Sequence, residues 1–225
     1  MANTETTINA IMQPQPNETP IDIEKTIKAL ERNKFVAHYF ETGAEAVTYL
    51  KNRIQNKCVA IGDSRTLMEL NVHDALSEVN ENITDIQRPL PGESFRDTAL
   101  RTMGRDVFLT SVNALSQTGE MVNIDGTGNR VAASLFGSQE VFFVLGVNKI
   151  TPDLASAIYR ARNVAAPLNS KKNKKSSLNP CATLDEKCYD CGSPDRICNA
   201  LTIYYKKMRN MQTMEIIIIN ESLGF

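Results

Sequence analysis

Two apolar rhythms alternate along the chain. Ile23, Ile27 and Leu30 recur at helical spacing from Ile21 and stop near Asn33-Lys34, after which Phe35 to Phe40 reads as a short strand. Thr42 is placed to cap a second helix, with Ala44, Ala46, Val47, Leu50 and Ile54 on its buried face. Lys57 to Ile61 is a buried strand closed by Gly62-Asp63-Ser64, and Leu67, Met68 and Leu70 mark a further helix. Ile83 to Ile86 predicts a strand, Pro89 to Gly92 a loop, and Glu93 to Met103 a helix that Gly104 ends. Val107 to Thr110 and Val141 to Gly146 are the clearest buried strands, and a helix starts at Pro152 and runs towards Pro167. Ile203-Tyr204-Tyr205 and Ile216 to Ile219 close the chain as two strands, joined in this reading by a Lys/Met-rich hairpin. Strands and helices taking turns in this way predict an α/β fold built of βαβ units on a mainly parallel sheet.

With 225 residues, 42% of them hydrophobic, the chain can bury one substantial core. Residues 1–20 are polar and read as a loosely attached tail, leaving 21–225 as a single domain that includes a cysteine-rich segment over 178–200. The net charge of -1 supplies no basic field for nucleic acid, and the run Lys171-Lys172-Asn173-Lys174-Lys175 reads as a solvated loop. No signal peptide is visible, and no apolar run is long enough to span a membrane. The expected location is the cytoplasm, where thiols stay reduced and clustered cysteines point to metal binding or redox chemistry.

Such a cluster is present. Cys181, Cys188, Cys191 and Cys198 fall within NPCATLDEKCYDCGSPDRICN, in a segment with almost no regular pattern. Four thiolates there could take zinc or an iron–sulfur cluster, and the spacing does not choose between them. A redox dithiol at Cys188 and Cys191, or thiols without a special role, are the alternatives. Cys58, inside an apolar strand, reads as a buried hydrophobe. The second candidate lies at strand ends, where open α/β sheets bind ligands. Gly62 and Ser64 follow one strand, although Ser64 could simply cap the next helix. Asn113, Gly126, Gly128, Asn129 and Arg130 lie on a polar stretch after another, which could equally be a hairpin turn. Lys149 follows a third strand, and Arg160, Arg162, Asn163 and Asn169 come later on a helix and its end. Together these residues are candidates for holding a small organic anion. His38 and His73 stand without an acid–nucleophile pattern and receive no catalytic role.

Thr110 to Ala133, followed by VFFVLGVNKITPDLASAIYRARNVAAPLNS, resembles the LUD domain of lactate-utilisation protein C and its relatives. Gly62-Asp63-Ser64-Arg65-Thr66-Leu67 resembles that family's glycine-glycine-serine-x-threonine-leucine turn, with Asp63 in place of a glycine. The cysteine segment and the ending Glu221 to Phe225 resemble a branch of short members with a cysteine-rich tail. The resemblance implies a Rossmann-like α/β sandwich like that of the sugar-phosphate isomerase and CoA-transferase group. It also implies a role beside iron–sulfur partner proteins in oxidising L-lactate or a related 2-hydroxy acid. Gln117-Thr118-Gly119 stands where CoA transferases of this fold carry a glutamate nucleophile, which disfavours acyl-CoA transfer. The alternative expectation is a protein, enzymatic or not, that binds an organic anion or a phosphorylated or CoA-linked metabolite and whose zinc is purely structural.

Overall fold

A computed structural model describes residues 20–173, 178–185 and 187–225. The N-terminal tail as far as residue 19, Lys174 and Lys175 of the basic run, and Glu186 of the cysteine segment lie outside the described residues.

The first half follows the predicted rhythm. Helix α1 (Ile23–Arg32) starts at Asp22, whose side chain accepts from the Lys25 amide. Strand β1 (Val36–Phe40) leads into α2 (Gly43–Arg53), where Thr42 and Glu45 form a reciprocal capping box. Then come β2 (Cys58–Ile61), α3 (Arg65–Glu69), α4 (Val72–Ser77), β3 (Asn82–Asp85) and α5 (Phe95–Arg101). Strand β4 (Val107–Thr110) follows Gly104, whose φ of +68° reverses the chain after α5.

The stretch after β4 folds into elements that its polar composition concealed. Strands β5 (Ala114–Ser116) and β6 (Met121–Asp125) form a hairpin, and helix α6 (Asn129–Leu135) follows. Strand β7 (Glu140–Gly146) passes through a 3-10 turn (Val147–Lys149) into the two-residue β8 (Ile150–Thr151). Helix α7 (Leu154–Arg160) does not stop near Pro167 as expected. It continues through a π turn (Ala161–Ala165) into α8 (Ala166–Lys172), so that Pro167 falls in the first turn of α8. Proline there removes no required donor. A single turn, α9 (Pro180–Thr183), β9 (Ala200–Tyr204) and β10 (Thr213–Ile219) complete the chain.

Six strands form one sheet in the order β1-β10-β7-β4-β2-β3, and every pairing in it is parallel. Alternation along β7 divides its residues between the two faces. Val141, Phe143 and Leu145 pack towards one core, with Phe108, Ile216, Ile218 and Tyr204. Phe142 and Val144 pack towards the other, with Leu50, Leu76, Ile217 and Ile219. A parallel sheet covered on both sides needs such uninterrupted apolar strands.

A second sheet, β8-β5-β6-β9, lies on the first face, and its outer side packs Val122 and Ile124 against Ala157 and Ala161. The architecture is therefore a mixed α/β sandwich with a mostly parallel six-stranded sheet flanked by helices, as expected of a Rossmann-like fold, enlarged by a small second sheet. The expected hairpin between the last two strands is absent. Strand β9 pairs antiparallel with β6, whereas β10 enters the main sheet between β1 and β7. Four isoleucines over 216–219, each fully buried, suit a central strand and not an edge. Cys58 also departs from expectation. At the first position of β2 it is only half-buried, and its amide is bonded to Asp106.

Phe143 is fully enclosed and meets Tyr204 edge-on at 5.3 Å between ring centroids, joining the two sheets. Phe143→Ala is expected to cost ~3–5 kcal/mol in urea unfolding. A loss below about 1 kcal/mol would show that the sheets do not share this core.

Candidate functional site

Strands β2, β4 and β7 all end at one edge of the main sheet, and the segments leaving them converge. Position 62 calls for glycine because a Cβ there would lie 2.8 Å from the Phe108 ring. Ser64 then accepts from the Leu67 amide at 3.3 Å and caps the five-residue α3, the plainer of its two readings. Helix α3 brings Thr66 inward, the end of β4 brings Ser111, and the 3-10 turn after β7 brings Lys149. The Lys149 ammonium donates to Thr66 Oγ1 at 2.9 Å and to Ser111 Oγ at 3.0 Å. The three strand ends thus meet at one amine.

Lys149 is only 3% exposed. Burial, reinforced by the positive charges of Arg160 and Arg130, holds its pKa down to about 7. Arg160, at the end of α7, donates through Nε to the Asn148 carbonyl at 3.0 Å and through Nη1 to the Asn113 carbonyl. Burial lowers its pKa to about 10. Among the described residues, neither cation has a carboxylate at ion-pair distance. Glu69 acts on Lys149 only through its longer-range field. A buried ammonium beside a half-buried guanidinium, neither of them ion-paired, is costly unless an anion joins them.

The chain's last residues lie over this edge. Thr66 Oγ1 donates to the Leu223 carbonyl at 3.4 Å, Leu223 N to Asn148 Oδ1 at 3.1 Å, and Gly224 N to Glu69 Oε2 at 2.7 Å. At φ +63°, Gly224 sits where a side chain would meet Thr66 Oγ1 at 2.6 Å and the Lys149 ammonium at 3.3 Å.

The other anion-site candidates are differently occupied. Arg130 spends its donors within the protein. Nε pairs with Asp125 at 3.4 Å, Nη1 bonds the Ser111 carbonyl and Asn123, and Nη2 bonds Asn113 and the Ile124 carbonyl. These five bonds match the five N–H groups of a guanidinium. Arg130 therefore ties the end of β4 to the β5–β6 hairpin, and its charge reaches the edge only as a field. Asn113 is likewise engaged, its Oδ1 accepting from the Ile124 amide at 2.7 Å. Asp125 accepts from the amides of Thr127 and Gly128, and the Gly126–Gly128 stretch turns β6 into α6 and not into a hairpin. Gly128 adopts φ +89° and Asn129 begins α6. Gly126 lies against the cysteine segment, where a Cβ would approach the Ile197 carbonyl to 2.9 Å.

That segment gathers its thiols. Cys181, Cys188, Cys191 and Cys198, each half-buried, line one pocket beside the π turn. The π turn presents two consecutive residues to it. Arg162 Nη2 donates to Cys188 Sγ at 3.7 Å and to Asp190 at 2.9 Å, while Asn163 Oδ1 accepts from the Cys188 amide at 3.1 Å. The Asp190 amide also donates to Cys188 Sγ, at 3.4 Å. Arg196 donates to the carbonyls of Cys191 and Cys198, yet its Nε is buried without an acceptor. Among the described residues, no three histidine, cysteine or acidic side chains stand close enough to share a single metal ion.

Strand-end position pointed to Gly62, Ser64 and Lys149, while Thr66 was marked only as part of the family-like turn and Ser111 and Arg196 were not singled out. They gain meaning only from neighbours far away in sequence. Of the residues noted after β7, Arg160 approaches Lys149, whereas Arg162 and Asn163 approach Cys188.

A parallel-sheet sandwich with a polar carboxyl edge defines a broad class of ligand-handling α/β proteins. The LUD domain family profile matches residues 23–219, and the chain belongs to that family. The fold is similar to the crystal structure of a DUF162 family protein from Deinococcus radiodurans. That likeness has a TM-score of 0.52 and 12% identity over 89% of this chain and 99% of the other. No curated protein matches the chain. Among the described residues no helix is long and apolar enough to cross a membrane.

Burial of Lys149 should be visible in stability. Its folded pKa of about 7 lies below the ordinary 10.5, so between these values the unfolded chain holds more protons. The penalty on folding is thus full below about pH 7 and is relieved as the pH rises towards the ordinary value. Lys149→Met is expected to stabilise the fold by ~1–3 kcal/mol at pH 6, and by less at pH 9. Urea unfolding at the two pH values checks this, and equal effects at both would remove the burial argument.

Proposed function

We propose that the protein is a redox-associated component in the oxidation of a 2-hydroxy acid, L-lactate or a relative, to the oxo acid. In this reading Cys181, Cys188, Cys191 and Cys198 hold an iron–sulfur cluster, and the Lys149–Arg160 edge receives a small organic anion. One observation carries it: all four thiols of the segment line one pocket, together with a buried guanidinium N–H that has no acceptor.

The arginine donors around the thiols favour a cluster over a single zinc. A polynuclear cluster holds its cysteines further apart and presents sulfur acceptors between them. Arg162 already donates to Cys188, and Arg196 Nε lacks only an acceptor. Two guanidiniums also offset the negative charge of such a centre. When bound, a cluster would supply one-electron transfer. The protein's own residues hold the loop, with Asn163 and Arg162 fixing Cys188 and Arg196 fixing the Cys191 and Cys198 backbone. Iron–sulfur lactate-oxidation proteins are the proposed exchange partners, in the cytoplasm.

Anaerobically purified protein should show a broad absorption band near about 400 nm, with iron and acid-labile sulfide. Serine at any of the four positions should lower the iron content and leave residues 178–200 more protease-sensitive, while Cys58→Ser should leave iron unchanged. Colourless protein containing stoichiometric zinc would replace this reading with that of an anion-binding protein stabilised by a structural metal. Protein free of both metals would leave the Cys188 and Cys191 dithiol as the redox candidate.

A further inference from the structure

We infer that Lys149 is a covalent site, at which its amine condenses with the carbonyl of a small 2-oxo carboxylic acid whose carboxylate is held by Arg160. The inference rests on the carboxyl edge being an organic-anion site and is independent of the metal.

Three observations converge on it. Lys149 contacts hydroxyls and not carboxylates, so no ion pair holds its amine in the charged form. A lysine desolvated beside other cations is the arrangement that frees the nitrogen lone pair near neutral pH. Arg160 is anchored from the same direction, because its Nε bonds the carbonyl of Asn148, the residue preceding Lys149. Among the described residues its bonds use Nε and one Nη1 proton, which leaves Nη2 able to donate to a carboxylate. Finally, Thr66 and Ser111 place two hydroxyls at 2.9 and 3.0 Å from the amine. A hydroxyl both donates and accepts, so each can pass a proton to an oxygen leaving from the same carbon.

The step balances without an oxidant. The neutral amine adds to the carbonyl carbon, giving a carbinolamine as its proton moves to the oxygen through a hydroxyl. The carbon–oxygen bond then breaks, water leaves with a second proton, and a carbon–nitrogen double bond remains. One guanidinium free to pair suits one carboxylate, and the near-complete enclosure of Lys149 favours a short chain. A phosphorylated ligand would demand more positive charge than Arg160 alone offers once the amine is neutral. Entry requires Leu223 and Gly224 to move aside, and the polar bonds holding them number three: from Thr66, to Asn148 and to Glu69.

Reductive trapping tests the inference on the full chain. The protein is incubated with pyruvate, or with the smaller glyoxylate, and cyanoborohydride, then analysed by intact mass and peptide mapping. The expected result is one reduced adduct per chain, on the peptide containing Lys149, formed at least about tenfold faster than on any other lysine, as a pKa near neutrality allows. Lys149→Arg, which keeps the charge, should abolish that adduct. Arg160→Gln should raise the pyruvate concentration needed for half-maximal labelling by about tenfold or more, as loss of a charge-assisted pair predicts. Circular dichroism establishes that each variant is folded. Calorimetry with pyruvate separates the two levels of failure. Pyruvate binding that Arg160→Gln weakens, without an adduct at Lys149, overturns the covalent step and leaves the anion site standing. Absence of both binding and adduct overturns the anion site as well.

Discussion

A parallel sheet buried on both faces can meet a small molecule only along an edge, and here the carboxyl edge collects the polar residues. The central run of β7 is wholly apolar, and its Phe142, Phe143, Val144 and Leu145 are fully enclosed. Polar groups are therefore displaced to the turns after β2, β4 and β7, where Thr66, Ser111 and Lys149 contact one another. At the opposite end of the strands, Arg53 bridges the buried carboxylates of Glu140 and Glu215, which Lys57 and His38 also approach. Those carboxylates are paired within the protein, whereas Lys149 and Arg160 at the carboxyl edge have no carboxylate at ion-pair distance among the described residues.

The arginines show the same contrast on a smaller scale. Arg130 has a protein acceptor for every donor, and its work is to join the two sheets. Arg160, near it in space, is bonded only to carbonyls. A carbonyl satisfies hydrogen-bond geometry but leaves the charge uncancelled, which is why burial depresses its pKa. Natural proteins retain such costs chiefly where function uses them. The cysteine segment belongs to the same economy of position, since Gly126 and Asn199 fasten it to the turn that Arg130 organises.

Strands without polar interruption were readable from sequence alone, as Val141 to Gly146 and Ile216 to Ile219 show. So was the capping of α2 by Thr42, because a capping box is local. The second sheet was not readable, because β5 and β8 contain three and two residues and are defined by partners rather than by periodicity. Adjacency in sequence suggested a terminal hairpin, yet the long-range pairing of an all-isoleucine run with β1 and β7 prevailed. At the site, Lys149 could be singled out by its place after a strand. Thr66 and Ser111 acquire a role only through contacts across the fold, as does the approach of Arg160 to Lys149. The internal bonding of Arg130 was hidden for the same reason. Its charge was visible in the sequence, but its five acceptors come from segments that meet only after folding.

The place of β10 governs the order in which the molecule can be made. Strand β1 lies far ahead of β10 in the sequence, yet among the described residues β10 is its one sheet neighbour. Until β10 is in place, β7 offers an open edge and β1 lacks that pairing. Pairings this distant along the chain slow folding and prolong the exposure of unpaired strands. The same late strand leads directly into the residues that cover Lys149. Placing β10 in the sheet therefore also places the segment that covers the amine, so the edge is enclosed only once its longest-range pairing has formed.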